Sequence, residues 1–242
     1  MKLLITQFIT SSVFAGMTDM QDQLSSLLNN TESNETPGFG GGPPGPDQRA
    51  FQGLFSIWLA QINQYGCWCY FDELHGRGKA DPINDLDSYC KSLHEGYECI
   101  LLDAQTDSQT CVPWTQAYNQ PSTVMVGDEQ ILLNCILANP TNDCAARSCS
   151  VEGKFIKSVS GWAMFNDLEL ATWSHTMGSF DVATQCVSKA GVQSEKDCCG
   201  DFPNRFPFRT MSGSRECCGS TTFNNAILQC CASDNTVGIA CA

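Results

Sequence analysis

The chain has few basic residues and no long apolar run. Its 13 Lys and Arg residues stand against 26 Asp and Glu residues, which gives a formal net charge of −13. A protein that neutralises nucleic-acid phosphates needs a basic face, so this balance argues against nucleic acid as a partner and against electrostatic docking on an anionic membrane. No stretch reaches the roughly 18 consecutive apolar residues of a transmembrane helix. The acidic composition instead suits solubility and weak cation binding.

Several catalytic motifs are also missing. The sequence has no Gly-x-Ser-x-Gly nucleophile elbow, no phosphate-binding loop and no dinucleotide-binding fingerprint between a predicted strand and a helix. It has three histidines, of which His75 and His175 have no motif around them. A catalytic hypothesis therefore depends on the third, His94.

Cysteine, by contrast, is abundant: there are sixteen residues, an even number, in a chain of 242. This predicts a disulfide framework formed in an oxidising compartment, outside the cell or in a secretory lumen. The zinc alternative needs Cys/His pairs at ligand spacing, and Cys67-Trp68-Cys69 is too close for it. The predicted disulfide cysteines are Cys67, Cys69, Cys90, Cys99, Cys111, Cys135, Cys144, Cys149, Cys186, Cys198, Cys199, Cys217, Cys218, Cys230, Cys231 and Cys241.

The N-terminal part has three predicted segments without a core of their own. Residues 1–16 are predicted to be a signal peptide or an N-terminal apolar segment. Residues 17–28 have apolar residues at helical spacing, which indicates a short amphipathic helix. This helix is either a leader remnant or a segment that docks on a neighbouring subunit. Residues 29–49 are a Gly/Pro-rich linker in which Asn29 and Asn34 begin glycosylation sequons.

Residues 50–160 are predicted to form a helical domain. Its first helix, residues 51–65, places large apolar side chains on one face and is a core helix. Further helices are predicted over residues 85–100, 130–137 and 143–159. The apolar side chains of the first of these are spaced to face the core: Leu86, Tyr89, Leu93, Tyr97 and Ile100. Residues 161–195 are a connecting region.

Residues 65–99 contain, in order, Tyr-Gly-Cys-x-Cys, a glycine-rich loop, an aspartate-rich segment that leads into a helix, and within that helix Cys-x-x-x-His followed by an acidic residue. With the preceding core helix, this order resembles the secreted phospholipase A2 family, over residues 51–158. The resemblance implies a calcium ion held by backbone carbonyls of the glycine loop and by a carboxylate after the histidine. It also implies that the histidine activates a water molecule and that a carboxylate from a later helix orients the imidazole.

Carried over to this sequence, the resemblance implies that His94 is the general base and that Glu152 orients it. Glu152 follows Cys144-Ala-Ala-Arg-Ser-Cys149-Ser-Val, which resembles the family's later helix. The resemblance implies Glu95, Gly76 and Gly78 as the calcium site. Both carboxylates are glutamates where the family has aspartates, and Tyr70 stands where a glycine is expected after Cys69.

A group of acids around the loop allows another interpretation. It could form a low-affinity calcium site of a different kind or a solvated acidic face, and its spacing does not match an EF-hand. The group consists of Asp72, Glu73, Asp81, Asp85 and Asp87.

Residues 196–242 have three cysteine doublets, prolines and glycines, and no helical period. They are predicted to form a small disulfide-stapled module of turns and short strands. Cys217-Cys-Gly-Ser-Thr-Thr-Phe-Asn, followed by Cys230-Cys231, resembles the galaxin-type repeats of secreted structural and mineral-associated matrix proteins. Because a ring closed by adjacent cysteines is strained, each doublet is predicted to staple two different strands.

These observations predict a mainly α, disulfide-rich fold with a phospholipase A2-like domain followed by a galaxin-like module. We interpret the chain as a secreted, non-enzymatic structural glycoprotein that requires no cofactor. It would be a self-assembling subunit of an extracellular fibre, coat or matrix, joined to other copies through its N-terminal segment. The alternative is a calcium-dependent phospholipase A2 that hydrolyses a phospholipid acyl ester in membrane lipid; a lipid- or calcium-binding module is a third possibility.

Overall fold

The computed structural model describes residues 62–71, 78–107, 109–121, 127–163, 172–175, 180–188, 194–231 and 235–241. The predicted helix over residues 17–28, most of the helix over 51–65 and the sequons at Asn29 and Asn34 lie outside these residues. Gly76, Asp72 and Glu73 also lie outside them. No helix within the described ranges is both long enough and apolar enough to cross a membrane.

Three long helices form the first part of the described structure. They are α1 (Asp85–Thr106), α2 (Asp128–Ala138) and α3 (Asp143–Ala163). The Asn84 side chain caps α1 by accepting a hydrogen bond from the backbone N–H of Asp87, and Asn142 caps α3 in the same way through Ala145. The three helices predicted after residue 80 are therefore confirmed, with later ends than expected.

The main core lies between α1 and α3, which run antiparallel. Gly96 of α1 allows close approach, since an added Cβ would lie 2.7 Å from a methyl group of Val151 on α3. The helix α2 packs against α3 around Ile131 and the Cys135–Cys149 disulfide. The principal core side chains are Ile62, Tyr65, Leu86, Leu93, Tyr97, Ile100, Val151, Phe155, Ile156 and Val159.

The C-terminal part consists of a one-turn helix and three antiparallel hairpins. The helix is α4 (Val182–Gln185). The hairpins are β1 (Lys196–Cys199) with β2 (Phe206–Arg209), β3 (Arg215–Cys218) with β4 (Thr221–Asn224), and β5 (Gln229–Cys231) with β6 (Thr236–Gly238). The prediction of turns and short strands is confirmed, and the described fold combines helices with small strand pairs.

All sixteen cysteines are paired, in eight disulfides, as the sequence predicted. In no doublet are the two adjacent cysteines bonded to each other, as the strain of such a ring predicted. Four pairs join cysteines that precede the first hairpin: Cys67–Cys186, Cys69–Cys90, Cys111–Cys144 and Cys135–Cys149. The remaining pairs are Cys99–Cys198, Cys199–Cys217, Cys218–Cys230 and Cys231–Cys241.

The first hairpin is held against α1 by charged side chains as well as by a disulfide. Arg205 donates hydrogen bonds to both carboxylate oxygens of Asp103, at 3.1 and 3.0 Å, and a third to the backbone carbonyl of Gly200. Lys196 pairs with Glu98 of α1. Bidentate Arg–carboxylate pairs restrict orientation as well as distance, so this hairpin has a defined position on the helix.

Candidate functional site

Asp87 organises the turn that contains Cys67 and Cys69. Its side chain is fully buried, and its carboxylate accepts hydrogen bonds from the backbone N–H groups of Cys67 (3.0 Å), Trp68 (2.7 Å) and Ile83 (3.0 Å). Burial raises the pKa of Asp87, although these N–H groups lower it. Asp87 therefore does not belong to a solvated acidic face, unlike the exposed Asp85.

His94 lies in a buried aromatic environment on α1. The residue is 6% exposed, and its ring stacks on Phe71 with the centroids 5.8 Å apart. Trp68 lies on another side, with its ring centroid at 6.5 Å. Phe71 also contacts Phe155 of α3 edge-on. The imidazole thus packs against Trp68 and Phe71, and Phe71 in turn contacts α3.

Two of the predicted calcium residues, Gly78 and Glu95, have packing or pairing roles, and the third, Gly76, lies outside the described residues. A Cβ on Gly78 would lie 2.0 Å from the Trp68 ring, so this glycine is required by close packing. Glu95 pairs with Lys91 at 3.7 Å; burial raises the pKa of Glu95, while Lys91 lowers it. Within the described ranges, no group of three or more His, Cys, Asp or Glu side chains is arranged to hold a metal ion.

Glu152 on α3 is held by two tyrosines. One carboxylate oxygen accepts a hydrogen bond from the Tyr97 hydroxyl of α1 at 2.7 Å, and the other accepts one from the Tyr118 hydroxyl. Burial raises the pKa of Glu152 to about 7, although the two hydroxyls lower it. Burial and the nearby Glu152 charge raise the pKa of both tyrosines. Sequence reasoning placed Tyr97 in the core and missed this role for both tyrosines.

The structure places His94 and Glu152 on facing helices but at different levels. Because α1 and α3 are antiparallel, Glu152 faces Tyr97, whereas His94 lies beside Phe71 at the level of Phe155. Residues three apart on a helix are separated by about 4.5 Å along its axis. Among the described residues, the hydrogen bonds of Glu152 go to the two tyrosines and not to His94. This carboxylic acid can exchange a proton near neutral pH, within a network that links α1, α3 and the Tyr118 segment.

Comparison with protein-family models gave no match for this chain, and comparison with curated proteins gave none either. The resemblances to secreted phospholipase A2 and to galaxin-type repeats therefore stay predictions.

Proposed function

We propose that this chain is a secreted, non-enzymatic structural glycoprotein that assembles into an extracellular fibre, coat or matrix. The observation that carries this proposal is the connection of the hairpins by the cysteine doublets. In each doublet, the first cysteine bonds backward along the chain and the second bonds forward: Cys198 bonds to Cys99 of α1, and Cys199 to Cys217 of the next hairpin. The doublets of β3 and β5 repeat this pattern.

A module of this kind suits a structural role because its stability does not depend on a large apolar core. Its first two hairpins each bury one phenylalanine, Phe208 and Phe223, together with cysteines. The number of disulfides supports formation in an oxidising, extracellular setting. Glycans at Asn29 and Asn34 would agree with that setting.

The helical part agrees with a structural role, in which it would serve as a rigid scaffold and not as a catalytic domain. We propose that it is a mainly α, phospholipase A2-like domain over residues 50–160, followed by a galaxin-like module over residues 196–242. The two residues proposed for catalysis have structural partners: His94 is stacked on Phe71, and Glu152 accepts hydrogen bonds from Tyr97 and Tyr118. These side chains contribute to packing whether or not a reaction takes place.

Assembly is expected to depend on the apolar face of the segment 17–28. The wild-type protein should form oligomers or fibres as its concentration rises, seen by sedimentation velocity and negative-stain microscopy. Leu24→Glu with Leu27→Glu should leave it monomeric, because charges on the contact face oppose burial. Gln23→Glu with Ser26→Glu adds the same charge to the polar face and should assemble normally. Monodisperse wild-type monomers at high concentration would overturn the proposal.

The second candidate function is calcium-dependent hydrolysis of a phospholipid acyl ester. It is favoured by one observation: a buried histidine, His94, and a buried carboxylic acid that titrates near neutral pH, Glu152, lie on facing helices. Backbone carbonyls of the glycine loop, which contains Gly76 and Gly78, and the carboxylate of Glu95 on α1 would supply the calcium ligands.

A mixed-micelle assay with calcium and with chelator separates the two functions. We expect no calcium-dependent fatty-acid release from wild type, His94→Gln or the control His175→Gln. Release that His94→Gln abolishes and His175→Gln retains would establish the enzymatic function instead. Circular dichroism of both variants checks that they are folded.

A further inference from the structure

The disulfides of the hairpin module form a covalent path much shorter than the polypeptide. From Cys99 the path crosses to the doublet Cys198-Cys199, then to Cys217-Cys218, to Cys230-Cys231 and finally to Cys241. The Cα–Cα distances across its four disulfides are 5.7, 5.4, 5.4 and 5.3 Å. With peptide links of about 3.8 Å, the path measures about 33 Å, whereas roughly 140 residues of backbone between its ends could extend to about 480 Å.

The path continues into the helical part by two parallel routes. One runs through Cys69–Cys90 and then along α1 to Cys99. The other runs through Cys67–Cys186 and then along the chain to Cys198. Both routes bypass the whole of α2 and α3, including Glu152. A force applied between Cys67 and Cys241 would therefore leave Glu152 and Tyr118 outside the path that carries it, whereas their partner Tyr97 lies on the route along α1.

Stability alone does not account for this connectivity. An isolated two-stranded hairpin is marginally stable in water, so some cross-link is needed. A disulfide within each hairpin would also constrain its unfolded state, but it would leave the linkers between hairpins free to extend. The observed bonds join the first strand of one hairpin to the first strand of the next, so they bypass the turns and the linkers as well.

We propose that the disulfide path makes this chain a tension-bearing link, which transmits force between its helical part and its last hairpin without lengthening. The proposal rests on the structural function proposed above, and the units joined at each end would be further copies of the chain. Opening of the hairpins under force would not extend the link, because covalent bonds and not strand pairing span it.

Single-molecule pulling of the full chain by its two termini tests this proposal. Under non-reducing conditions, the contour length of residues 69–241 should stay below about 7 nm, whereas a chain whose disulfides are all reduced should extend by about 60 nm over the same residues. Residues 1–68, which precede this path, contribute about 23 nm to every variant and are subtracted. Tens of nanometres of extension over residues 69–241 in the oxidised wild-type chain would overturn the proposal.

Two variants that each remove one disulfide provide the matched comparison. Cys199→Ser with Cys217→Ser removes a bond on the path that spans 18 residues, so the oxidised chain should lengthen by about 6 nm. Cys135→Ser with Cys149→Ser removes a bond that spans 14 residues but lies off the path, and the length should not change. Equal extension of both variants would contradict the proposal.

The readout is covalent length, so it remains informative if a variant hairpin does not fold. Non-reducing peptide mapping confirms that the other seven disulfides are those of the wild type. In assembled material, the on-path variant should lower tensile stiffness and the off-path variant should not. If removal of the on-path disulfide does not change the tensile stiffness of the assembly, the tension-bearing role is overturned. If the wild-type chain does not assemble at all, the structural function is overturned.

Discussion

Replacing Asp87 with alanine is expected to lower the free energy of unfolding by about 4 kcal/mol. The carboxylate accepts hydrogen bonds from the buried backbone N–H group of Cys67 and from the partly buried N–H groups of Trp68 and Ile83. Each buried donor left without an acceptor costs about 1–3 kcal/mol, and partial entry of water reduces the total. Denaturant unfolding under non-reducing conditions measures the loss.

Asp85→Ala is the matched control, because Asp85 lies in the same first turn of α1 but is exposed. Its loss should stay below about 1 kcal/mol, the usual contribution of an exposed acid at a helix N-terminus. Equal losses for the two variants would show that Asp87 contributes only through helix electrostatics and does not hold the turn.

The stability of the protein is expected to fall as pH rises through neutrality because of Glu152. Its pKa is about 7 in the folded protein and 4.5 as an ordinary glutamate. The folded state therefore binds the proton more tightly, and this contribution is fully present below pH 4.5. It is lost progressively as pH rises, and by pH 8 the loss amounts to about 3 kcal/mol. Urea unfolding between pH 4.5 and pH 8 measures the slope.

Glu152→Gln should remove this pH dependence, since glutamine cannot ionise and has nearly the shape of the protonated acid. Tyr118→Phe should have the opposite effect, because the Tyr118 hydroxyl lowers the pKa of Glu152. Without that hydroxyl, the loss should continue to a higher pH than in the wild type. A wild type whose slope matches that of Glu152→Gln would show that Glu152 does not titrate in this range.

Local patterns were sufficient to predict the helices, and also that the two cysteines of each doublet bond to different partners. Of the five side chains whose spacing on α1 predicted burial, Leu86, Leu93, Tyr97 and Ile100 are buried, whereas Tyr89 is only partly buried. Helical periodicity is a property of neighbouring residues, so the sequence was sufficient to predict it. The separate bonding of adjacent cysteines follows from ring strain, which is also local. The same patterns predicted short strands in the C-terminal part.

The partners of buried polar groups could not be predicted in this way. The donors to Asp87 at Cys67 and Trp68 lie about twenty residues before it, and Tyr118 and Tyr97 approach Glu152 from more than thirty residues away. A solvated acidic face was one prediction for Asp87, whereas its side chain is buried. Burial and donor geometry depend on which elements pack together, and a single carboxylate in the sequence carries no sign of this.

The sequence by itself determined that this protein is acidic, rich in disulfides and built from amphipathic helices followed by short strands. The tertiary structure decided which cysteines pair, and so it decided that the hairpins form a continuous covalent path from α1 to Cys241. It also decided that Glu152 faces two tyrosines and that His94 faces Phe71. The physical reason is that composition and periodicity are local properties of the chain, whereas pairing and burial arise only when distant segments meet.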